Sequence, residues 1–123
     1  MSKETHIVED FIDAFNAQDV DTIMGFFSDD PIYHNMPSGP VTGTGPVREL
    51  ITSFVSPASS VNWEMLKIAQ TGDTVLTERM DRFVLGGKDV ALPVMGAFDI
   101  QDGKITAWRD YFDMATWTKQ MTD

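Results

Sequence analysis

The chain has 123 residues, 42% of them apolar, and no cysteine. That length suits one domain with one sizeable core, residues 1–123, and the missing thiols exclude disulfides, thiolate zinc sites and cysteine nucleophiles. A formal net charge of −10 repels a nucleic-acid backbone or an anionic membrane surface, so neither is an expected partner, whereas a neutral small molecule is compatible.

The N-terminal MSKETHIVEDF lacks the apolar stretch of a signal peptide, and no apolar run approaches the roughly 20 residues of a membrane span, so a cytoplasmic setting is expected. Ile7, Phe11, Ala14 and Phe15 fall on one helical face, widened by Val8 and Ile12. After a break at Asn16–Asp19, Asp19 or Asp21 can cap a second short helix carrying Val20, Ile23, Met24 and Phe27, closed by Ser28-Asp29-Asp30-Pro31. Ile32–Met36 reads as a short strand and Pro37–Gly45 as a loop. Pro46 can open a third helix with Val47, Leu50, Ile51 and Phe54 inward, ended by Pro57-Ala58-Ser59-Ser60.

From Val61 the period changes. Four strands are predicted, Val61–Thr71, Thr74–Leu85, Asp89–Ile100 and Lys104–Phe112, joined by short Gly-bearing connectors of the kind hairpins need. Asp113 can cap a last helix, Met114–Met121. Helices followed by an antiparallel meander make an α+β layout, with helices on one face of a curved sheet that can enclose a pocket.

Side chains alternate faces along a strand. Arg79 and Asp81 share a face with Val75, Phe83 and Leu85, while Asp110 lies between Trp108 and Phe112. The Val90, Leu92, Val94, Gly96, Phe98, Ile100 face is almost unbroken apolar and must line the interior. Tyr33 and Asn35 share a face of the early strand. If these faces meet, an apolar chamber holds two carboxylates, one guanidinium, one phenol and one amide. A buried carboxylate needs a partner. Arg79, with five donors in a planar fork, can bond Asp81 and Asp110 at once. Such a trio serves either as a structural ion network or as chemistry, and the residues alone leave both open. Tyr33 taken singly also fits a core tyrosine, and Trp63, Trp108 and Trp117 fit core positions. No His/Asp/Glu spacing suggests a metal site. PSGPVTGTGP lacks the Lys-Ser/Thr ending of a phosphate loop.

Tyr33-x-Asn35, Arg79-x-Asp81, and Asp110 within WRDYFD, together with GAF at residues 96–98 and GKIT at residues 103–106, resemble the limonene-1,2-epoxide hydrolase family, within the nuclear transport factor 2-like and SnoaL-like superfamily. The resemblance implies a cone-shaped fold, helices over a strongly curved mixed sheet with a deep apolar pocket. It implies cofactor-free hydrolysis of a lipophilic, cyclic epoxide to a vicinal diol, and a homodimer, for which the last strand and Trp108 are the expected contact. Carried over residue by residue, it makes Asp110 the general base, with Tyr33 and Asn35 holding the water beside it. Asp81 becomes the general acid and Arg79 the bridge. Phe83, Leu92, Val94 and Phe112 match pocket-lining positions. One carboxylate and one carboxylic acid can deprotonate water and protonate the departing oxygen together. An isomerase or cyclase of the ketosteroid isomerase or polyketide cyclase type, and a non-catalytic ligand-binding dimer, are the competing expectations on the same fold. The isomerases and cyclases do not need two aspartates bridged by arginine beside a Tyr-x-Asn.

Overall fold

The computed structural model describes residues 2–122. Helix α1, Lys3–Asn16, starts at a capping box in which Ser2 and Thr5 exchange side-chain and backbone hydrogen bonds. It buries Val8, Phe11, Ile12, Ala14 and Phe15, the face anticipated from the spacing. Phe11 sits edge-on to Phe15, Phe27, Phe98 and Trp108, with ring centroids 5.1–5.9 Å apart, a geometry that suits the ring quadrupoles. Helix α2, Val20–Gly25, is capped by Asp19, whose carboxylate accepts from the Thr22 N–H and hydroxyl.

Strand β1, Phe27–Asn35, begins five residues earlier than expected. Phe27 is therefore the first buried residue of a strand, not part of α2. Ser28-Asp29-Asp30-Pro31 is a bulged stretch of that strand, the register against β6 shifting between Phe27 and Ile32. The bulge accommodates Pro31, which has no N–H to give a ladder. A two-residue strand β2, Val41–Thr42, lies inside the expected loop. Helix α3, Thr44–Val55, starts two residues before Pro46 and buries Val47, Ile51 and Val55.

The meander follows as β3, Ser60–Thr71, β4, Thr74–Leu85, β5, Lys88–Gln101, and β6, Lys104–Tyr111. Positive φ at Gly86 and Gly87, 57° and 75°, and at Asp102 and Gly103, 52° and 76°, closes two of its hairpins, as primed turns require. Phe112 falls just beyond the last strand. Helix α4, Met114–Thr122, follows Asp113, which accepts from the Ala115 N–H and the Thr116 hydroxyl.

The sheet order is β2-β1-β6-β5-β4-β3, with β1 and β6 parallel and every other pair antiparallel. This is the expected curved mixed sheet, open rather than closed. Its inner face carries Val75, Thr77, Arg79, Asp81, Phe83 and Leu85 from β4, all buried. Helix α1 is tied to the outer strand β3, because the Asn16 amide donates to the Trp63 carbonyl and accepts from the Trp63 N–H. Among the described residues, no helix is long and apolar enough to cross a membrane.

Candidate active site

Strand registry assembles the site. Thr77 on β4 pairs with Gly96 on β5, Gly96 pairs with Asp110 on β6, and Asp110 pairs with Asn35 on β1. One cross-strand row thus runs through four strands, and Tyr33, Arg79 and Asp81 lie along the same inner face beside it. Alternation decides which side chains point inward, and registry decides which of them become neighbours.

Arg79 is fully buried, at 0% exposure, and Asp81 and Asp110 are each 3% exposed. All five guanidinium N–H groups have acceptors. Nε and Nη2 donate to Asp81 at 3.0 and 2.9 Å, and Nη1 and Nη2 donate to Asp110 at 3.2 and 2.8 Å. The remaining Nη1 donor reaches the Thr77 hydroxyl at 3.1 Å. The Arg79 guanidinium carbon also lies 5.1 Å from the centre of the Trp63 ring, within cation–π range. Asp110 Oδ1 accepts a further bond from the Trp108 indole at 2.7 Å. Sequence reasoning anticipated the double Arg79 bridge. It missed Thr77, the Trp108 donor and the Trp63 ring. The first two were visible only as residues two places before Arg79 and Asp110 on the same strand face.

The electrostatics follow from burial and net charge. Burial, aided by the Asp110 charge, outweighs the downward pull of Arg79 and leaves the Asp81 carboxyl raised to about 6. Two ionised carboxylates around one cation leave the trio with an excess negative charge, and one bound proton removes that excess. Burial disfavours the Arg79 charge, but Asp110 and Asp81 outweigh it and hold its pKa above the ordinary arginine value. Burial, reinforced by the Asp110 charge, keeps the Tyr33 phenol well above its usual range, against the pull of a hydrogen bond with Asn35. The Tyr33 ring lies flat on Trp108, centroids 4.0 Å apart.

Both carboxyl groups and Tyr33 border a cavity of about 250 Å³. Tyr33, Asn35, Asp81, Asp110, Phe83, Leu92, Val94 and Phe112 all line it, while Arg79 stands behind the two carboxylates. Helix α4 completes the wall with Met114, which the sequence did not single out, and with Trp117, which the sequence reading placed in the core. The helix is held by the Gln120 amide, which bonds both the N–H and the carbonyl of Ala91 at 2.7 and 2.8 Å. Trp117 meets Phe83 edge-on. A second hollow, between the far ends of β3, β4 and β5 and helix α4, is lined by Ser60, Asn62, Arg82 and Asp89 and holds none of the expected site residues except Phe83. Trp108 does not fit the expected role of a dimer contact, being 0% exposed in the core under Tyr33 and Phe98. Among the described residues, no group of three or more His, Asp or Glu side chains is arranged to hold a metal ion.

Helices packed over an open, curved mixed sheet define a fold of the nuclear transport factor 2-like and SnoaL-like class. Solved structures share it: an NTF2-like protein from Burkholderia pseudomallei K96243 superposes with a TM-score of 0.88 at 17% identity, over all of both chains. A SnoaL-like protein from Shewanella putrefaciens CN-32 gives 0.88 at 18% identity, over 99% of this chain and 98% of that one. The chain belongs to the limonene-1,2-epoxide hydrolase family, whose catalytic-domain model matches residues 2–123. It is 36% identical over 109 residues to the epoxide hydrolase EphG of Mycobacterium tuberculosis H37Rv, covering 87% of this chain and 71% of that protein. It also superposes on a structure of an M. tuberculosis LEH-like epoxide hydrolase with a TM-score of 0.86 at 31% identity, over 98% of this chain and 90% of the other.

Proposed function

We propose that the chain is a cofactor-independent epoxide hydrolase of the limonene-1,2-epoxide hydrolase type, a single domain that adds water to a lipophilic, cyclic epoxide in one step. The observation that carries this is the pair of carboxyl groups on a single buried arginine in the wall of an apolar cavity. Asp110 takes a proton from water as the water oxygen forms a bond to an epoxide carbon. That carbon's bond to the ring oxygen breaks, and the oxygen takes its proton from Asp81. The product is a vicinal diol, and a proton passes from Asp110 to Asp81, through solvent, to restore the resting state. Asp81, raised to about 6, remains partly protonated near neutral pH, as an acid must. Tyr33 and Asn35 orient the water and lower the entropic cost of its attack. Arg79 keeps the two carboxyls in one electrostatic unit. Phe83, Leu92, Val94 and Phe112 hold the hydrocarbon body and select by shape, at about 1–3 kcal/mol per methylene.

Incubation with racemic limonene oxide and with cyclohexene oxide tests the reading, and diol is the expected product, with or without chelator. No diol from either, or activity lost to chelator and restored by a metal, refutes it. Single turnover in oxygen-18 water tests the one-step route. Label should enter the diol in the first turnover, and unlabelled diol would mean that a carboxylate attacks carbon.

Met95 and Tyr111, 52% and 50% exposed, are cross-strand partners on the outer sheet face. That apolar pair supports association of two chains through the outer face, with Trp108 playing no part in the contact.

A further inference from the structure

Arg79 and Asp110 are joined across an intervening strand. β4 and β6 flank β5, and two strand spacings amount to about 10 Å. The ion pair must therefore pass over β5, and the residue beneath it is Gly96, paired with Thr77 on one side and Asp110 on the other. A Cβ at Gly96 would stand 2.5 Å from Arg79 Nη1, 2.7 Å from Asp110 Oδ1 and 2.8 Å from Thr77 Oγ1. Real Cβ atoms essentially never approach so closely, and all three neighbours are buried. Backbone conformation does not call for glycine here, because Gly96 is not among the positive-φ residues. It lies inside a 14-residue strand, where a glycine weakens the sheet and marks a close approach. The close approach is that of the guanidinium to Asp110.

Thr77 supplies the other half. Four of the Arg79 donors go to carboxylates and the fifth goes to the Thr77 hydroxyl. Threonine is stiff at χ1, so this oxygen is a fixed reference for the guanidinium plane. Neither Thr77 nor Gly96 lines the cavity.

We infer that Gly96 and Thr77 are positioning residues of the acid–base site: Gly96 leaves the gap in β5 through which Arg79 reaches Asp110, and Thr77 fixes the plane in which it does so. The kinetic consequence rests on the hydrolase reading, and the geometric one does not.

Three variants test this, Gly96→Ala, Thr77→Val and Thr77→Ser, each checked for folding by thermal melting. The first readout is the NMR resonance of the Trp108 indole N–H, which donates to Asp110 Oδ1 and reports its position. The second is kcat and KM on cyclohexene oxide. Gly96→Ala should move the indole proton upfield and lower kcat by about 100-fold, the scale of a 1 Å misplacement. KM should stay within about threefold, since the cavity lining is untouched. Thr77→Val should move the same resonance and lower kcat by about tenfold, one buried donor being left unpaired. Thr77→Ser should restore both. If Gly96→Ala does not fold, the two Thr77 variants decide. An unmoved resonance with unchanged kcat in Gly96→Ala and Thr77→Val overturns the inference, and so does a Thr77→Ser variant as impaired as Thr77→Val. A wild-type chain that opens no epoxide sinks the hydrolase reading alone, because the resonance still accepts or rejects the positioning role.

Discussion

Asp81→Asn should remove a pH dependence of stability that the wild-type chain carries. In the folded state burial pushes the Asp81 carboxyl up from 3.8 to about 6, whereas in the unfolded chain it titrates near its ordinary value. Between those two values the folded state keeps a proton that the unfolded state has released. The associated stability is fully present below the unfolded pKa and is lost as pH rises through the folded one. A shift of that size corresponds to about 3 kcal/mol at most. The Asp81→Asn variant has no such proton, so its unfolding free energy should lack this decline. Asp99 acts with the opposite sign. Its hydrogen bond with Arg109 lowers its pKa, so its contribution is present above the unfolded value and lost as pH falls, and it cancels when variant and wild type are subtracted. Urea unfolding of both proteins, from about pH 4 to about pH 7, gives that difference curve. The wild type should lose ground relative to the variant as pH rises. Parallel curves, or a wild type that gains on the variant, would refute the argument that the folded state holds a proton at Asp81. The same proton appears in turnover, where kcat should fall about tenfold per pH unit well above pH 6.

Asp110→Asn and Asp81→Asn should each lower kcat by about 10²–10⁴-fold, with the double variant little worse than either single one, because the two groups act in one step. Additive losses would separate them into independent steps. Tyr33→Phe keeps the stack on Trp108 and loses only the hydroxyl, so kcat should drop by about tenfold with little change in melting temperature. An unchanged kcat would remove Tyr33 from the water site. Met95→Lys together with Tyr111→Glu should convert a sedimenting dimer to a species of 13.7 kDa. A wild type that sediments only as monomer would end that proposal.

The parts legible in the sequence are those set by local periodicity. Val75 to Leu85 alternates cleanly enough to place Arg79 and Asp81 on one face, and the Gly-bearing connectors fix the meander almost residue by residue. The early strand is harder. Ser28-Asp29-Asp30-Pro31 carries local turn chemistry, but β6, more than seventy residues later, supplies a parallel partner that holds it extended through a bulge. Local signals cannot show such a partner. The positioning roles proposed for Thr77 and Gly96 were not legible for a related reason. A threonine and a glycine inside strands carry no sign of charge chemistry, and their meaning appears only when registry lines them up with Asp110.

On the proposed hydrolase reading, the trio's location accounts for a costly arrangement. Burying three charged groups in a core is stabilising only when every donor and acceptor is met, and an apolar replacement of similar volume is often as stable or more so. Here the guanidinium has no donor to spare and sits behind the carboxylates, while both carboxylates line the cavity. A network built only to stabilise would gain most by facing the packed core, where no water competes for its acceptors. This one keeps the saturated cation inside and presents the two titratable groups to an apolar cavity that a neutral molecule can enter. On the proposed hydrolase reading, that division, with the fixed charge buried and both carboxyl groups lining the cavity, suits acid–base chemistry in a way that packing alone does not require.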